Sequence, residues 1–437
     1  KKMGTPAKKI AFHTLGCKLN FSETSSLSRD SLRYGYENVN SKEFADIYVF
    51  NTCSVTENAN KETKKLIRRS KRINPKAFIA LIGCYAQLKP EELINIDDVN
   101  MVLGTAEKFE LLNHLDKVKI SNDIKVVMNK DITEINSFNP SFSGDDRTRA
   151  FLKVQDGCDY SCTFCTIPMA RGKSRSASIS QTVNLAKTIT KSKTKEIVLT
   201  GVNIGDFGVY NNESFFELIK EIDLQVDIDR VRISSIEPNL LSNEIIEFCF
   251  NSEKFMPHFH IPLQSGSDKI LKSMKRRYKV EDFKSRINTI KNLDSDCCIG
   301  VDVIVGYPSE TEEDFIETYE FLKNQDVSYL HVFTYSEREN TKAIDFKPAV
   351  PFKERFNRSK LLRELSDQKK AQFYKKSIGG IRPLLVENNK NGILFGYTDN
   401  YIKVKINAES FIENTIQMVN ILDFRGEYML GEIIAAG

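Results

Sequence analysis

Cys158-Asp-Tyr-Ser-Cys162-Thr-Phe-Cys165 is the stretch of sequence on which the fold depends. Three thiols this close together allow one loop to supply three ligands to a zinc ion or an iron–sulfur cluster. A closed zinc site needs a fourth ligand, and the next histidine along the chain is His258. The spacing therefore favours a [4Fe-4S] cluster with one open iron, and zinc with a distant fourth ligand stays an alternative.

Three further cysteines, Cys17, Cys53 and Cys84, each follow a predicted strand in an amino-terminal domain over residues 8–120. The strands are predicted at residues 9–15, 45–50 and 77–82, and the helices between them at 22–34 and 57–73. This alternation predicts a parallel, three-layer α/β domain, in which ligands gather at the carboxyl ends of the strands. Three thiols at that edge indicate a second metal site, although ordinary buried cysteines would show the same pattern. Residues 121–145 are predicted to be a linker.

Four sequence motifs resemble those of the methylthiotransferases, a radical S-adenosylmethionine family. They are TLGCKLN at residues 14–20, NTCSVT at 51–56, IGCYAQ at 82–87 and CDYSCTFCTIPMARG at 158–172. The resemblance implies that the three loop cysteines hold a [4Fe-4S] cluster whose open iron binds S-adenosylmethionine. It also implies that the three amino-terminal cysteines hold an auxiliary [4Fe-4S] cluster, which carries the sulfur to be inserted. The cofactors would do the radical chemistry, and the protein would position them and exclude water.

Within this family, the residues around Cys17 and Cys53 resemble the branch that acts on N6-threonylcarbamoyladenosine in tRNA. The implied reaction adds a 2-methylthio group to that nucleoside at position 37, next to the anticodon, with S-adenosylmethionine as methyl donor and radical source. The implied partners are the tRNA anticodon stem-loop and an electron donor such as flavodoxin or ferredoxin. Isopentenyladenosine in tRNA and a ribosomal-protein aspartate are alternative substrates, and a non-catalytic zinc-containing RNA-binding protein is the alternative from another class.

The composition is that of a globular protein, with 41% hydrophobic and 28% charged residues among 437. No apolar run reaches the ~18 residues that a membrane helix needs, and the polar, lysine-rich start is unlike a secretory signal. The nine cysteines therefore indicate metal ligands rather than disulfides, and they predict a protein of the reducing cytoplasm. No membrane partner is expected. The net charge of +4 confines any nucleic-acid site to a local patch.

Residues 146–375 alternate between strand-like and helical segments, which predicts a partial (β/α)6 barrel, two units short of a closed one. The cluster loop follows the first strand, on the carboxyl face where barrel active sites lie. The strands are predicted at residues 151–155, 196–200, 231–235, 259–263, 299–305 and 329–335.

The candidate contacts lie on that face of the barrel. Arg171, Arg175 and Glu237 are predicted to bind the polar substituent of the substrate, because an arginine can bind a carboxylate through two hydrogen bonds. The alternative is that the arginines touch phosphates or fix the cluster loop. His258, His260 and His331 are predicted to be hydrogen-bonded core imidazoles rather than metal ligands or catalytic bases. The candidate S-adenosylmethionine contacts, given by the resemblance, are Phe164, Thr200, Gly201, Asn203, Ser235, Gln264, Ile304 and Val305.

Residues 376–437 contain five short strand-like runs, which predict a small antiparallel β-barrel of the OB-like kind. The runs are 381–387, 392–397, 401–406, 415–422 and 427–434, with a hairpin turn at 389–392. The resemblance implies a TRAM domain that binds RNA. Interleaved basic and aromatic residues can stack bases while neutralising phosphates, although a half-buried sheet with a solvated face is the alternative. The candidate RNA contacts are Arg382, Lys390, Phe395, Lys403 and Lys405.

Overall fold

A computed structural model gives the fold and describes residues 7–53, 57–118, 124–144, 148–390, 393–407 and 412–434. The chain forms two compact units, and the loop with the three neighbouring cysteines is itself divided between them. None of the helices in the described ranges is long and apolar enough to cross a membrane. The first unit contains Lys1–Ser143, Phe151–Ser161 and Cys165–Ala177, and the second contains Gly144–Ala150, Cys162–Phe164 and Ser178–Gly437.

The amino-terminal part of the first unit is a parallel sheet between two helical layers, as predicted. Alternate residues of β3 face two separate cores: Tyr48 and Phe50 pack with Leu66 of α2, and Ile47 and Val49 pack with α1 and α5. The strand order is β2-β1-β3-β4-β5-β6. The elements are β1 (Lys9–Thr14), α1 (Lys18–Arg33), β2 (Glu37–Val39), β3 (Ile47–Thr52), α2 (Glu57–Ile73), β4 (Phe78–Gly83), α3 (Cys84–Leu88), α4 (Pro90–Ile94), β5 (Met101–Leu103), α5 (Leu111–Lys117) and β6 (Val126–Met128).

The prediction of a linker over residues 121–145 does not hold for β6. This strand pairs in parallel with β5, with Val126 opposite Met101 and Met128 opposite Leu103. Val126 and Met128 pack against the core that α1 and α5 cover. A strand of three residues is too short to show a clear alternation, so the polar composition of the following segment determined the prediction.

The rest of the first unit frames the cluster loop with short strands. Strand β7 pairs antiparallel with β8, whose first two residues belong to the second unit. Strands β9 and β10 pair antiparallel, with Asp156 opposite Arg175, and so enclose the loop between them. The elements are β7 (Ser141–Phe142), β8 (Arg149–Lys153), β9 (Gln155–Asp156), α6 (Ile167–Arg171) and β10 (Arg175–Ser176).

The second unit contains the predicted barrel strands that follow β8. Strands β11 and β12 pair in parallel, as do β13, β14 and β15, and a bridge between Ser235 and His260 joins the ends of β12 and β13. Side chains of Ser178, Ser214, Ser242 and Thr311 cap the helices that start after them. The elements are α7 (Ile179–Ile189), β11 (Glu196–Thr200), α8 (Phe215–Gln225), β12 (Arg230–Ile233), α9 (Asn243–Asn251), β13 (His258–Gln264), α10 (Asp268–Ser273), α11 (Val280–Leu293), β14 (Cys298–Val305), α12 (Glu312–Asn324) and β15 (Tyr329–Thr334).

The carboxyl-terminal strands form a closed barrel in the order β16-β17-β18-β20-β19. The expectation of an all-antiparallel barrel is corrected at one place, because β18 and β20 pair in parallel. The hairpin prediction falls partly outside the described residues, at 391–392, and the flanking strands β16 and β17 do pair antiparallel. The elements are α13 (Phe352–Lys376), β16 (Ile381–Lys390), β17 (Ile393–Thr398), β18 (Lys403–Asn407), β19 (Ile416–Phe424) and β20 (Met429–Ile433).

Candidate metal centres and substrate surfaces

Cys17 and Cys84 occupy equivalent positions, each at the start of a helix that follows a parallel strand. Each comes after a glycine, Gly16 or Gly83, whose φ is +97°. This conformation favours glycine, and a Cβ on Gly16 would lie 2.9 Å from the sulfur of Cys53. The Cys17 loop therefore lies directly against Cys53, so the structure brings the carboxyl ends of β1 and β3 together as predicted.

Amide and hydroxyl side chains tie the three amino-terminal cysteine loops together. Asn20 Nδ2 donates to the carbonyl oxygens of Leu15 (2.9 Å) and Thr52 (3.1 Å), in the first and second loops. Asn51 Nδ2 donates to the Asn20 carbonyl oxygen at 3.0 Å. Thr52 Oγ1 donates to the carbonyl oxygen of Ile82, in the strand before the third cysteine. These bonds fix the loops through backbone, amide and hydroxyl groups.

A buried guanidinium lies beside these thiols. Arg171 is 1% exposed and interacts electrostatically with both Cys84 and Cys17. Burial raises the pKa of the Cys84 thiol, and Arg171 is the largest influence that opposes this rise. A fixed positive charge at this place favours thiolates, the form of cysteine that binds metals.

Arg171 belongs to a buried ion network inside the first unit. Glu23 accepts from Lys108 (2.7 Å), Lys153 (2.9 Å) and Arg171 (3.1 Å). Asp156 accepts from Lys153 (2.7 Å) and Arg171 (2.9 Å). Burial alone would raise the pKa of Glu23, but the three cations hold it well below its usual value. The buried cations outnumber the buried carboxylates, so positive charge is left over beside the thiols.

These bonds correct the predicted substrate role of Arg171 and Arg175. Arg171 is fully buried, and its Nη2 also donates to Asn20 Oδ1 at 2.5 Å. Arg175 donates to the carbonyl oxygens of Ser137 and Arg171 and to Asp156 Oδ2. Because their donors are occupied inside the protein, neither guanidinium is available for a substrate carboxylate. The alternative, that they fix the cluster loop, agrees with these contacts.

Within the cluster loop, backbone N–H groups are directed at cysteine sulfurs. Tyr160 N donates to Cys158 Sγ and Ile167 N donates to Cys165 Sγ, each at 3.4 Å. The N–H of Cys158 donates to the carbonyl oxygen of Gly172 at 3.0 Å. Bonds of this kind stabilise thiolates and influence the reduction potential of iron–sulfur clusters.

In the second unit, the sulfur of Cys162 accepts a hydrogen bond from Arg276 Nη1 at 3.0 Å. Arg276 Nη2 forms an ion pair with Glu237, and its Nε donates to the Tyr278 hydroxyl at 3.1 Å. Burial raises the pKa of the Cys162 thiol, and Arg276 opposes this rise. Glu237 pairs with the arginine that contacts the sulfur, and its predicted role in binding substrate stays a prediction.

Two of the predicted S-adenosylmethionine contacts, Phe164 and Ile304, pack against one buried cluster around Tyr307. Gln264, at the end of β13, has a φ of +68°, a backbone conformation that is often found at functional sites. Val305 is 1% exposed and lies on the opposite face of β14 from Ile304, so its side chain is excluded as a contact.

The remaining predicted cofactor contacts follow β11 and β12. Thr200 and Asn203 are buried, and Asn203 Nδ2 donates to Asp206 Oδ2 at 2.6 Å. Gly201 is half-buried in the same segment, and Ser235, two residues after β12, is half-buried as well. Their role in binding the cofactor stays a prediction.

His260, Asp302 and His331 come together on neighbouring strands of the barrel. Asp302 Oδ1 lies 2.8 Å from His260 Nε2 and 3.3 Å from His331 Nδ1. Burial alone would raise the pKa of Asp302, but hydrogen bonds from the two imidazoles hold it well below its usual value. His258 behaves as a core imidazole and stacks on Tyr401, with ring centroids 4.3 Å apart.

Two lysines and two aromatic rings form a patch on the small carboxyl-terminal barrel. Lys403 Nζ lies 5.2 Å from the ring of Phe395, and Lys405 Nζ lies 5.8 Å from the ring of Tyr428. The two rings meet edge to face at 5.7 Å. The predicted RNA contacts on β17 and β18 are thus neighbours, whereas the side chain of Lys390 lies outside the described residues.

Arg382, the remaining predicted RNA contact, is corrected. Its guanidinium pairs with Asp296, just before β14, at 3.0 Å and with Asp399 at 3.1 Å. Arg232 of β12 donates to the carbonyl oxygens of Thr398 and Asp399. These arginines attach the small barrel to the amino-terminal ends of the barrel strands, so Arg382 has a structural function.

The sequence analysis missed the polar residues that support the cysteines. A signal existed for Glu23, which interrupts an apolar stripe on α1 between Leu19 and Leu27, because a charge at a buried helical position requires a partner. Asn20 lies within the motif at residues 14–20 but was given no role. Arg276 lies in a run of basic residues, and only the fold shows that it reaches a sulfur.

Comparisons with known proteins agree with this arrangement. Residues 9–104 match the uncharacterized protein family UPF0004, and residues 152–322 match the radical SAM superfamily. A threonylcarbamoyladenosine tRNA methylthiotransferase MtaB from Aquifex aeolicus is 40% identical over 91% of this chain and 96% of its own. The protein of the same name from Bacillus subtilis is 38% identical over 97% and 96%. A tRNA-2-methylthio-N(6)-dimethylallyladenosine synthase from Endomicrobium trichonymphae is 30% identical over 96% and 99%.

Among solved structures, the radical S-adenosylmethionine methyltransferase TsrM from Kitasatospora setae has a similar fold. It superposes with a TM-score of 0.55 at 10% identity and covers 77% of each chain. This similarity supports the fold alone, whereas the relatives identical at 30% or more extend over nearly the whole sequence. The chain belongs to the methylthiotransferase family of the radical S-adenosylmethionine superfamily.

Proposed function

We propose that this protein adds a methylthio group to C2 of N6-threonylcarbamoyladenosine in tRNA by radical S-adenosylmethionine chemistry. The observation that carries the proposal is near full-length identity of 38% and 40% to two enzymes named for that substrate. Three synthases named for dimethylallyladenosine are 30% to 33% identical. We place the reaction in the cytoplasm, at position 37 of the tRNA anticodon stem-loop.

The loop cysteines fit a [4Fe-4S] cluster with an open iron. Each of the three sulfurs accepts one N–H bond, from the backbone of Tyr160, the backbone of Ile167 and the side chain of Arg276. When bound, the cluster and S-adenosylmethionine supply a reductive carbon–sulfur cleavage that yields a 5′-deoxyadenosyl radical. The chain holds the thiolates, and Phe164 and Ile304 offer an apolar wall for the adenine of the cofactor.

The amino-terminal cysteines fit the auxiliary cluster that provides the sulfur. Cys53 and Cys84 are buried and Cys17 is exposed, so the site is open to solvent on the side of Cys17. A cluster held by three thiolates is anionic, and Arg171 supplies the positive charge that stabilises it. The hydrogen bonds of Asn20 join the first and second cysteine loops, so they would hold the ligands of the cluster in place.

The small barrel supplies RNA affinity in this proposal. The patch of Phe395, Lys403, Lys405 and Tyr428 combines flat rings with positive charge, as single-stranded RNA requires. A reductive cleavage of S-adenosylmethionine would need an electron from outside the chain, so a flavodoxin or ferredoxin is the electron donor that we expect.

The test is mass spectrometry of tRNA nucleosides from a strain that lacks this protein. We expect 2-methylthio-N6-threonylcarbamoyladenosine to disappear and its precursor to accumulate. Purified enzyme should then modify a stem-loop with threonylcarbamoyladenosine and not one with isopentenyladenosine. An unchanged nucleoside profile contradicts the proposal, as does preference for the isopentenyl RNA. Iron and labile sulfide in anaerobically purified protein distinguish the enzyme from a zinc-containing RNA-binding module.

A further inference from the structure

Three side chains on the inner face of the barrel have no role in the mechanism above. His260, Asp302 and His331 lie on β13, β14 and β15. The neighbouring residue Phe259 packs on Phe250 of α9, so the outer face of β13 is covered by a helix. Because strand residues alternate between faces, His260 points to the inside. The same alternation puts Asp302 on the inner side with Ile304.

This cluster lies close to the residues that hold the radical centre. The charge of Asp302 influences Glu237, whose partner Arg276 contacts Cys162. Ile304, two residues after Asp302, packs in the same cluster as Phe164 of the cysteine loop. A group bound at the histidines would therefore lie near Cys162 and Phe164, the part of the cysteine loop that belongs to the second unit.

We propose that His331, oriented by Asp302 and His260, binds the carboxylate of the threonylcarbamoyl substituent. This inference rests on the proposed function and adds the residues that select the substrate. The side chain of His331 is 52% exposed, and Asp302 occupies its Nδ1. Among the described residues, no protein atom hydrogen-bonds its Nε2. Because Nδ1 faces Asp302, Nε2 is the ring nitrogen left to meet a ligand, and an imidazolium can donate from both nitrogens.

The surroundings suit a modified purine better than a metal ion. His331 lies 4.9 Å from the ring of His260 and 5.2 Å from that of Tyr329. Phe333, the next residue on that face of β15, is 44% exposed. Flat rings beside a polar group are what a base with a polar substituent requires. Both imidazoles direct a nitrogen at the same oxygen of Asp302, as hydrogen-bond donors do.

The arrangement also explains how an apolar substituent would be rejected. An isopentenyl group offers no acceptor, so its binding would remove water from His331 and Asp302 without replacing the lost hydrogen bonds. Sites built to bind a polar group discriminate strongly against analogues that lack it. Arg171 and Arg175 cannot serve, because their donors are occupied inside the first unit.

The experiment compares stem-loops that carry threonylcarbamoyladenosine, its methyl ester or isopentenyladenosine. In H331F, kcat/KM for the acid should fall about 10- to 100-fold, as expected for a hydrogen bond to a charged group. The methyl ester should be used equally by H331F and the wild type, and H331Q, which keeps a neutral donor, should retain more activity on the acid than H331F. Cofactor cleavage without RNA should be unchanged, and H114F on α5 is the matched control.

Each alternative outcome has a definite meaning. Equal losses on the acid and the ester overturn the inference, because the carboxylate would then not be the group recognised. A stoichiometric metal beyond the iron of the clusters, lost in H331F, also overturns it and identifies a metal site. Failure of the wild type on threonylcarbamoyl RNA overturns the proposed function as well. Undiminished H331F activity beside an active wild type overturns this inference alone.

Discussion

Replacing Glu23 by Gln should destabilise the first unit strongly, because it removes one of two carboxylates that neutralise three buried cations. The glutamine has the same size, so the packing around Lys108, Lys153 and Arg171 is kept while the charge is lost. Breaking a buried ion pair typically costs about 3–5 kcal/mol. This is a large part of the roughly 5–15 kcal/mol by which a typical domain is stable.

Hydrogen exchange of the backbone amides in β3 and β4 measures the loss of stability in the first unit directly, and it does not require the whole chain to unfold in one step. Protection factors should fall by about two to three and a half orders of magnitude in E23Q, since 1.4 kcal/mol corresponds to about tenfold. The control is E62Q, which breaks the exposed pair Lys65–Glu62 of 3.7 Å. Exposed pairs contribute about 0–1 kcal/mol, so E62Q should leave exchange nearly unchanged.

A second variant separates charge from packing. Removing Lys108 together with Glu23, as E23Q/K108M, takes away one cation with one anion and should recover part of the lost protection. The charge argument is refuted if the loss of protection in the double variant equals the sum of the losses in E23Q and K108M. It is also refuted if E23Q keeps the same protection as E62Q.

The pH dependence follows from the lowered pKa values of Glu23 and Asp156. A carboxyl whose folded pKa lies below its unfolded value stabilises the protein above the unfolded pKa, about 4. This contribution is lost as the pH falls through the folded pKa. The difference in protection between wild type and E23Q should therefore be complete at pH 7 and shrink below about pH 4.

The other predictions concern the two clusters and the RNA patch. Alanine at all three loop cysteines should leave about half of the wild-type iron and abolish 5′-deoxyadenosine formation. Alanine at the three amino-terminal cysteines should leave 5′-deoxyadenosine formation intact and abolish the methylthio product. If that second variant forms the methylthio product at normal yield, the auxiliary cluster is excluded as the sulfur source. In R276M the reduction potential of the loop cluster, followed by electron paramagnetic resonance, should fall because the N–H bond to Cys162 is lost. An unchanged reduction potential would contradict a role of Arg276 in tuning the cluster. The K403Q/K405Q variant should bind tRNA more weakly, and the slope of its log affinity against log salt concentration should be smaller by about 2. The control K360Q on α13 should match the wild type. An unchanged slope in K403Q/K405Q would assign the RNA site elsewhere.

The parts of the structure that could be predicted are those that depend on local sequence. The strands that precede Cys17, Cys53 and Cys84 are short segments rich in apolar residues, and the predicted strands and helices of the barrel follow clear periodicities. The partners of Glu23 could not be predicted, because Lys108 and Lys153 lie 85 and 130 residues away in sequence. Nothing local distinguishes these buried lysines from the many exposed ones.

Three of the failed predictions concern arginines, and the reason is physical. Arg171, Arg175 and Arg382 were assigned to substrate or RNA because a guanidinium binds carboxylates and phosphates well. The same property makes arginine the usual cation for buried pairs inside a protein. Composition and position cannot separate the two uses, since the difference lies in whether the donors are occupied, which only the fold shows.

The use of arginine next to the thiols has a chemical reason. Burial lowers the pKa of Lys108, because surroundings that exclude water disfavour the charged ammonium. An arginine stays protonated even when it is buried. Arg171 beside Cys84 and Arg276 beside Cys162 therefore keep a cation next to sulfur atoms that must remain thiolates. The planar guanidinium also lets Arg276 contact Cys162 and Glu237 with separate nitrogens, a geometry that the single ammonium of a lysine does not reproduce.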